Sequence, residues 1–525
     1  MILSKQVLKS YADARSNTYK SIVCHAPFVN LNFEQNGNVR ACCYNTKDIL
    51  GKWPEQSIKQ IWFSEQAQKL RSHIRNNDLG GGCTECGNMI AAGNHQGVRA
   101  RYFDDNAPDN LHSRIHYFRN KLSGHIDFPR VLEFELSNKC NLECVMCNGY
   151  FSSSIRKNRE KLPPIHSPYN EKFVDELEEF IPQLTDAKFL GGEPFMIDIY
   201  LSIWERILKI KPQIRIHITT NGTFLTDRVK ELLEGLHAGI IISIDSVVKE
   251  TYEKIRVNGN YEKVMSNLEY FRDYTRRKNT FISMAACPIT YNWKELPGML
   301  DFCLSKNVAL YFNAVFTPFE LSLREQTIEL QEEVLAYLER HNVPEIKDSA
   351  QSPRNLSINA YKDFVKLLKS WVEDRKVMIR EKAERVTQVD KTISYSEISN
   401  EPIEWSLERI SKALVDITSV ERKGLFEQEK KLKSELGQLL VSTPKGKLNE
   451  SLSRYLQLYE GYHQLVADSE MSDKLSSFSM LIDSNEHRNN ILSHLATLSP
   501  LFFAKWICEN DIGQMKEGVN QFFNA

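Results

Sequence analysis

Between residues 130 and 316 short apolar runs alternate with longer stretches whose apolar residues recur at helical spacing. The runs Val131–Ser137, Ala187–Gly191, Ile214–Thr220, Gly239–Asp245, Thr280–Cys287 and Val308–Phe316 predict strands. Residues 170–183, 197–211, 226–236, 260–278 and 293–306 predict the helices between them. Six strands alternating with helices specify an α/β fold with a parallel sheet, open or curled into a partial barrel. Sites in such folds lie at the carboxyl ends of the strands.

The flanking patterns differ. Residues 21–100 are loop-rich, with a hairpin predicted over 28–44 around Asn36-Gly37-Asn38. A helix is predicted over 56–76 from the spacing of Ile58, Ile61, Trp62, Leu70 and Ile74. Residues 101–129 are polar and contain Pro108, Gly124 and Pro129, which suits a linker with one short helix. From about 320 onward the pattern is helical: Tyr361, Phe364, Leu368 and Trp371 share one face, and Leu425, Leu432, Leu436 and Leu439 another. The expected domains are therefore 1–100, a linker 101–129, an α/β domain 130–318 and a helical region 319–525 whose role the sequence does not disclose.

Composition narrows the classes. At roughly 150 residues per domain, 525 residues suit about three domains. Lys and Arg number 67 against 68 Asp and Glu, so no overall electrostatic footprint for nucleic acid or an anionic membrane exists. No secretory signal is visible in residues 1–20, and no apolar run reaches the ~18 residues of a membrane span. The expectation is a cytoplasmic protein with neither nucleic-acid nor membrane partners.

Cysteine changes the picture. Eleven are present, and in a reducing compartment clustered cysteines point to metal ligation or catalysis rather than disulfides. Cys140, Cys144 and Cys147 form C-x3-C-x2-C just after the first predicted strand of the α/β domain. Three thiolates on one tight loop can hold three irons of a cubane and leave the fourth open, where a 4Fe-4S cluster ordinarily takes four cysteines. An open metal position is what a substrate-binding metal needs. Gly191-Gly192-Glu193-Pro194 follows the second strand, Thr220-Asn221-Gly222 the third, and Ser243-Ile244-Asp245 ends the fourth.

Over residues 130–316 these motifs, in this order, resemble the radical SAM superfamily. The resemblance implies a partial (β/α)6 barrel and a 4Fe-4S cluster on Cys140, Cys144 and Cys147, with S-adenosylmethionine chelated to the open iron. An electron from the cluster would cleave the cofactor to a 5′-deoxyadenosyl radical. It further implies that Gly191, Gly192, Glu193, Pro194, Asn221, Ser243 and Asp245 contact S-adenosylmethionine, and that Arg256 can meet a carboxylate. Met146 takes the place where many members carry an aromatic residue against adenine, and packs in a similar way. An electron donor such as a flavodoxin or ferredoxin is implied as a partner.

A second cysteine set, Cys24, Cys42, Cys83 and Cys86, resembles the auxiliary-cluster domains called SPASM or, in the shorter form, Twitch. The resemblance spans about 24–90 and implies one fully ligated auxiliary 4Fe-4S cluster; a structural zinc on the same four cysteines is the less favoured alternative. In better-known members this module follows the barrel, whereas here it precedes it. Cys43 adjoins Cys42, but neighbours in a hairpin face opposite ways, so one of the two binds, and Cys42 is preferred. Cys287, Cys303 and Cys508 read as core thiols, although Cys287, at a strand end, could also donate a hydrogen atom. His112 and His116 read as surface residues.

The expected activity is hydrogen abstraction from a peptide or protein side chain, aided by electron transfer to the auxiliary cluster. A small molecule such as a sugar or aminocyclitol is the runner-up, and the lack of an evident leader-peptide-binding module ahead of the cluster domain weakens a ribosomal-peptide maturase reading. A non-catalytic metal-binding scaffold is the alternative from another class.

Overall fold

The computed structural model describes residues 1–15, 22–45, 47–95, 98–106, 127–389, 437–457 and 469–496, with residues 507 and 515. Cys508, His112, His116, Leu425, Leu432, Leu436 and most of the expected linker lie outside these residues. Nine strands form one sheet: β1 Asn30–Glu34, β2 Asn38–Arg40, β3 Gly51–Lys52, β4 Val131–Glu135, β5 Asp186–Phe189, β6 Arg215–Thr220, β7 His237–Ser243, β8 Ile282–Ala286 and β9 Ala309–Phe312. Their order is β3-β2-β1-β4-β5-β6-β7-β8-β9. Strands β4 to β9 are parallel and sequential, as expected of a partial (β/α)6 barrel.

Alternation along the strands decides between a curled and a doubly covered sheet. Leu132, Phe134, Ala187, Phe189, Ile216, Ile218, Ile240, Ile242 and Met284 are fully buried beneath the helices. Phe173, Tyr200, Trp204 and Phe271 meet them from the helices Glu171–Leu177, Asp198–Ile210 and Tyr261–Lys278. Each large apolar side chain so buried contributes about 1.5–3 kcal/mol. The opposite face carries Glu133, Lys188, His217, Thr219, Ser243 and Ser283, which line a cavity of about 920 Å³. A parallel sheet covered on both faces needs apolar residues on both. A polar second face is tolerable because this sheet curls around a lumen.

The N-terminal segment does not form a separate layer. Strand β1 pairs parallel with β4, in the register Asn32↔Glu133, and so lengthens the barrel sheet. The predicted hairpin is present, with an additional short strand β3. The helix predicted over 56–76 is two helices, Ile58–Trp62 and Glu65–Arg75, because Ser64 caps the second by accepting from Ala67 N at 3.1 Å. Helices Lys5–Asp13, Thr84–Ala91 and Lys249–Ile255 were not foreseen.

Two compact units emerge, Met1–Leu368 and Lys369–Ala525. The first runs well past the expected boundary at 318, because Tyr361 (2% exposed), Phe364 (5%) and Leu368 (0%) of the helix Pro353–Val389 are buried as their spacing predicts. Ser357 of that helix donates to the Val308 carbonyl at 3.0 Å and accepts from Leu310 N at 2.8 Å, pinning the helix to β9. In the second unit the described helices Leu448–Gln457, Ser469–Asp483 and Arg488–Leu495 bury Leu452, Phe478, Ile482 and Leu492. Arg488 joins them through Asp483 at 2.8 Å and the Thr443 carbonyl at 2.6 Å. No helix among the described residues is long and apolar enough to cross a membrane.

Candidate active site

The loop bearing Cys140, Cys144 and Cys147 leaves the carboxyl end of β4. Its backbone is held on two sides. Glu143 N and Val145 N donate to the carbonyls of Val257 and Ile255 at 3.0 and 2.9 Å. Ser152 and Ser154 hydroxyls donate to the carbonyls of Leu142 and Cys140 at 2.7 and 2.8 Å. Cys144 is buried, and Cys140 and Cys147 are half-buried. Burial pushes all three thiols up, Cys140 and Cys147 to about 11. The three lie within electrostatic range of one another. Thiols this reluctant to ionise become thiolates near neutral pH when a metal takes the proton's place. The donor set is thiol-only and contains three groups, which fits a cubane with one open iron.

Strand-end residues surround this loop. An ideal Cβ on Gly192 would lie 2.3 Å from the Lys139 carbonyl oxygen, and one on Gly191, at φ +102°, 2.7 Å from that of Ser137. Both glycines are therefore required for close approach to the lead-in of the cysteine loop. Gly192 N and Glu193 N seal the contact by donating to the Ser137 and Lys139 carbonyls at 3.0 and 2.8 Å. Asn221 Nδ2 donates to Asn141 Oδ1 at 3.0 Å and reaches Cys140 Sγ at 3.8 Å. Met146 packs on the cluster of Ile255, Ile289, Val315 and Leu321, together with Cys287. Ser243 faces the lumen.

Three residues expected at the cofactor are occupied otherwise. Glu193 is fully buried; it accepts from Thr220 Oγ1 and Asn221 N, both at 2.7 Å, and from Phe195 N at 3.2 Å. Burial outweighs those donors and pushes its carboxyl up to about 7. Asp245 is also fully buried, accepting from Arg256 Nε at 2.6 Å and Cys287 N at 2.7 Å. Arg256, expected to meet a carboxylate, has found one inside the protein, and its Nη1 donates to Cys144 Sγ at 3.7 Å. These side chains orient the loop rather than face open space. Pro194 is buried beside Glu193.

The second cysteine set stands at the opposite end of the barrel strands. Cys24 precedes β1, Cys42 follows β2, and β1 runs parallel to β4, so both lie by the amino end of β4. The strand itself separates the two ends by about 13 Å. Cys83, the N-cap of the helix Thr84–Ala91, and Cys86, in its first turn, join them. Cys24 feels Cys42, Cys83 and Cys86 electrostatically, and burial raises all four thiols, Cys42 and Cys83 to about 12. Cys24 and Cys42 pack against the same apolar cluster of Ala26, Val29 and Phe103. Cys43 sits instead beside Arg99, Glu133 and Glu135. Four thiols and no other donor suit a fully ligated iron–sulfur cluster. Among the described residues no group of three or more metal-ligating side chains is drawn in to single-ion spacing.

The lumen residues Arg99, Glu133, Lys188 and His217 were not singled out from the sequence. Their signal was the polar alternation in Val131-Leu-Glu-Phe-Glu135 and Arg215-Ile-His-Ile-Thr219.

Residues 134–303 match the model of the radical SAM superfamily, and residues 24–87 that of the SPASM iron–sulfur cluster-binding domain. A probable GTP 3′,8-cyclase of Methanocaldococcus jannaschii is 29% identical over 185 residues, 33% of this chain and 55% of the relative. An AdoMet-dependent heme synthase of Methanosarcina barkeri is 30% identical over 166 residues, 30% of this chain and 43% of the relative. The chain thus spans about half the length of these curated relatives. Among solved structures, native anSMEcpe with bound AdoMet is 18% identical, covering 39% of this chain and 57% of that one, with a TM-score of 0.31. Streptococcus suis SuiB bound to the precursor peptide SuiA is 17% identical, covering 52% and 60%, also with a TM-score of 0.31.

Proposed function

We propose that this chain, which carries a radical SAM domain behind an N-terminal SPASM-type cluster domain, removes a hydrogen atom from an organic substrate held in the barrel lumen. The observation that carries the reading is the cavity of about 920 Å³, which Glu133, Lys188, His217, Thr219, Ser243 and Ser283 line from the strands. When bound, the cluster and S-adenosylmethionine supply the reductive cleavage that makes hydrogen abstraction from carbon feasible. Cys140, Cys144 and Cys147 hold the cluster and leave one position open for the cofactor. Arg256 and Asp245 fix Cys144, and Glu193 fixes Asn221 beside Cys140. The auxiliary thiols, saturating their own cluster, suit it to accept the substrate's electron rather than to bind substrate. A flavodoxin or ferredoxin in the cytoplasm would supply the first electron. The near-balanced charge of 67 against 68 supports no role for nucleic acid.

A peptide or protein side chain is the first substrate reading, since SPASM-type modules accompany such modification. A small molecule is the second, favoured by a lumen whose volume falls in the range of small-ligand sites, about 300–1,000 Å³. Anaerobic reconstitution tests the proposal. Wild type should hold roughly eight irons and the Cys140/Cys144/Cys147→Ala variant roughly four. Wild type with dithionite and S-adenosylmethionine should form 5′-deoxyadenosine, and the variant none. Loaded wild type that forms none would refute the enzyme reading.

A further inference from the structure

The lumen floor is a built, charged rung. Register places Asn32, Glu133, Lys188 and His217 side by side across β1, β4, β5 and β6. Arg99 and Tyr102 enter the same cavity from the turn Arg99–Asn106. Glu133 is fully buried and already saturated: Oε1 accepts from Arg99 Nη2 and Lys188 Nζ, each at 3.1 Å, and Oε2 from Asn30 Nδ2 at 3.0 Å. Two basic side chains, Arg99 and Lys188, therefore share one carboxylate. Arg99 Nε is buried without a hydrogen-bond partner. Both basic groups lie over the Tyr102 ring, at 4.1 and 3.1 Å, which helps to fix their positions.

Besides Glu133, the groups that bear on Arg99 are Cys43, Cys42 and Tyr44. His217 is engaged with Asp186 at 3.1 Å. Asp363, which lines the cavity from Pro353–Val389, is solvent-exposed and screened. Glu135, one rung up, is pushed up to about 7 by burial and by Glu133 and Glu34. Burial and the Arg99 charge lower Lys188 to about 6, against the pull of Cys43, so an entering anion would favour its protonated form.

We propose that this floor is an anion subsite, and that the substrate carries a carboxylate or phosphate seated against Arg99 and Lys188. The inference rests on the reading of the lumen as the substrate site. Ser243, at the radical end, stands four strand residues beyond Gly239, which pairs with His217 on the floor rung. That rise is about 13 Å, the length of lumen between the floor rung and the upper strand ends. The substrate class is thus an elongated anion, either a small molecule or a peptide with an acidic side chain.

Calorimetric titration of the reconstituted full chain with octanoate, octyl phosphate and octanamide tests this without turnover. Octanoate or octyl phosphate should bind wild type, the tighter of the two naming the anion, and octanamide at least about tenfold more weakly. Lys188→Gln and Arg99→Gln should each lose about tenfold in anion affinity. Lys188→Gln guards against loss of the auxiliary cluster, because Arg99 N donates to Cys86. Octanamide binding as tightly as octanoate, anion binding unchanged in Lys188→Gln, or no anion binding at millimolar concentration would each overturn the proposal. Formation of 5′-deoxyadenosine, measured on the same samples, judges the enzyme reading separately.

Discussion

The Arg256–Asp245 pair should act as a lever on the cluster at Cys144. The guanidinium donates to Cys144 Sγ at 3.7 Å and to Asp245 at 2.6 Å, and neither partner is more than 9% exposed. A full charge at 3.7 Å in an effective dielectric of 20 is worth about 4 kcal/mol. The electron added on reduction spreads over irons beyond the sulfur, so about half of that is felt, ~90 mV for a one-electron couple. Arg256→Gln removes the cation and leaves Asp245 uncompensated, and the midpoint should fall by roughly 100 mV. Asp245→Asn frees the cation, and the midpoint should rise by a comparable amount. Arg256→Lys should fall between. Breaking a buried pair costs about 3–5 kcal/mol of stability, so iron content is measured first. The assay is an anaerobic potentiometric titration followed by electron paramagnetic resonance, reading the signal that responds to S-adenosylmethionine. Shifts of the same sign in both variants would show that the pair acts through packing and refute the electrostatic argument.

Gly192→Ala should destabilise by about 2 kcal/mol and lower iron at the Cys140–Cys147 loop, measured by denaturation and iron count, because the new methyl meets the Lys139 carbonyl backbone. Cys42→Ser should lose roughly four of eight irons and Cys43→Ser none, since Cys43 sits among Arg99, Glu133 and Glu135. Glu193 has a folded value near 7 against an ordinary 4.5, so its contribution is fully present below about pH 4.5 and lost as pH rises toward 7. That loss is worth about 3 kcal/mol, and Glu193→Gln should flatten this slope in denaturant titrations across that window. Tyr200→Phe leaves Leu136 N–H without its acceptor at 3.0 Å, and should cost about 1–3 kcal/mol in the same titration.

The sequence by itself determined the local chemistry. C-x3-C-x2-C on one loop, C-x2-C after a glycine run, and alternating strands and helices are set by spacing a few residues apart. The strand cores were legible because covalent neighbours alternate faces regardless of what lies beyond them. The polar rung of Glu133, Lys188 and His217 was written in the same alternation, but its meaning depended on whether the sheet curls. Contacts distant in sequence were decided by tertiary structure alone. Pairing of β1 with β4 joins residues about a hundred positions apart, and no local pattern specifies it, yet it sends the auxiliary cysteines to the amino end of the strands. The partners of buried charge were hidden for the same reason. Asp245 and Arg256 look free to meet a ligand in the sequence, but burial obliges each to find a counter-charge, and folding supplies it within the protein.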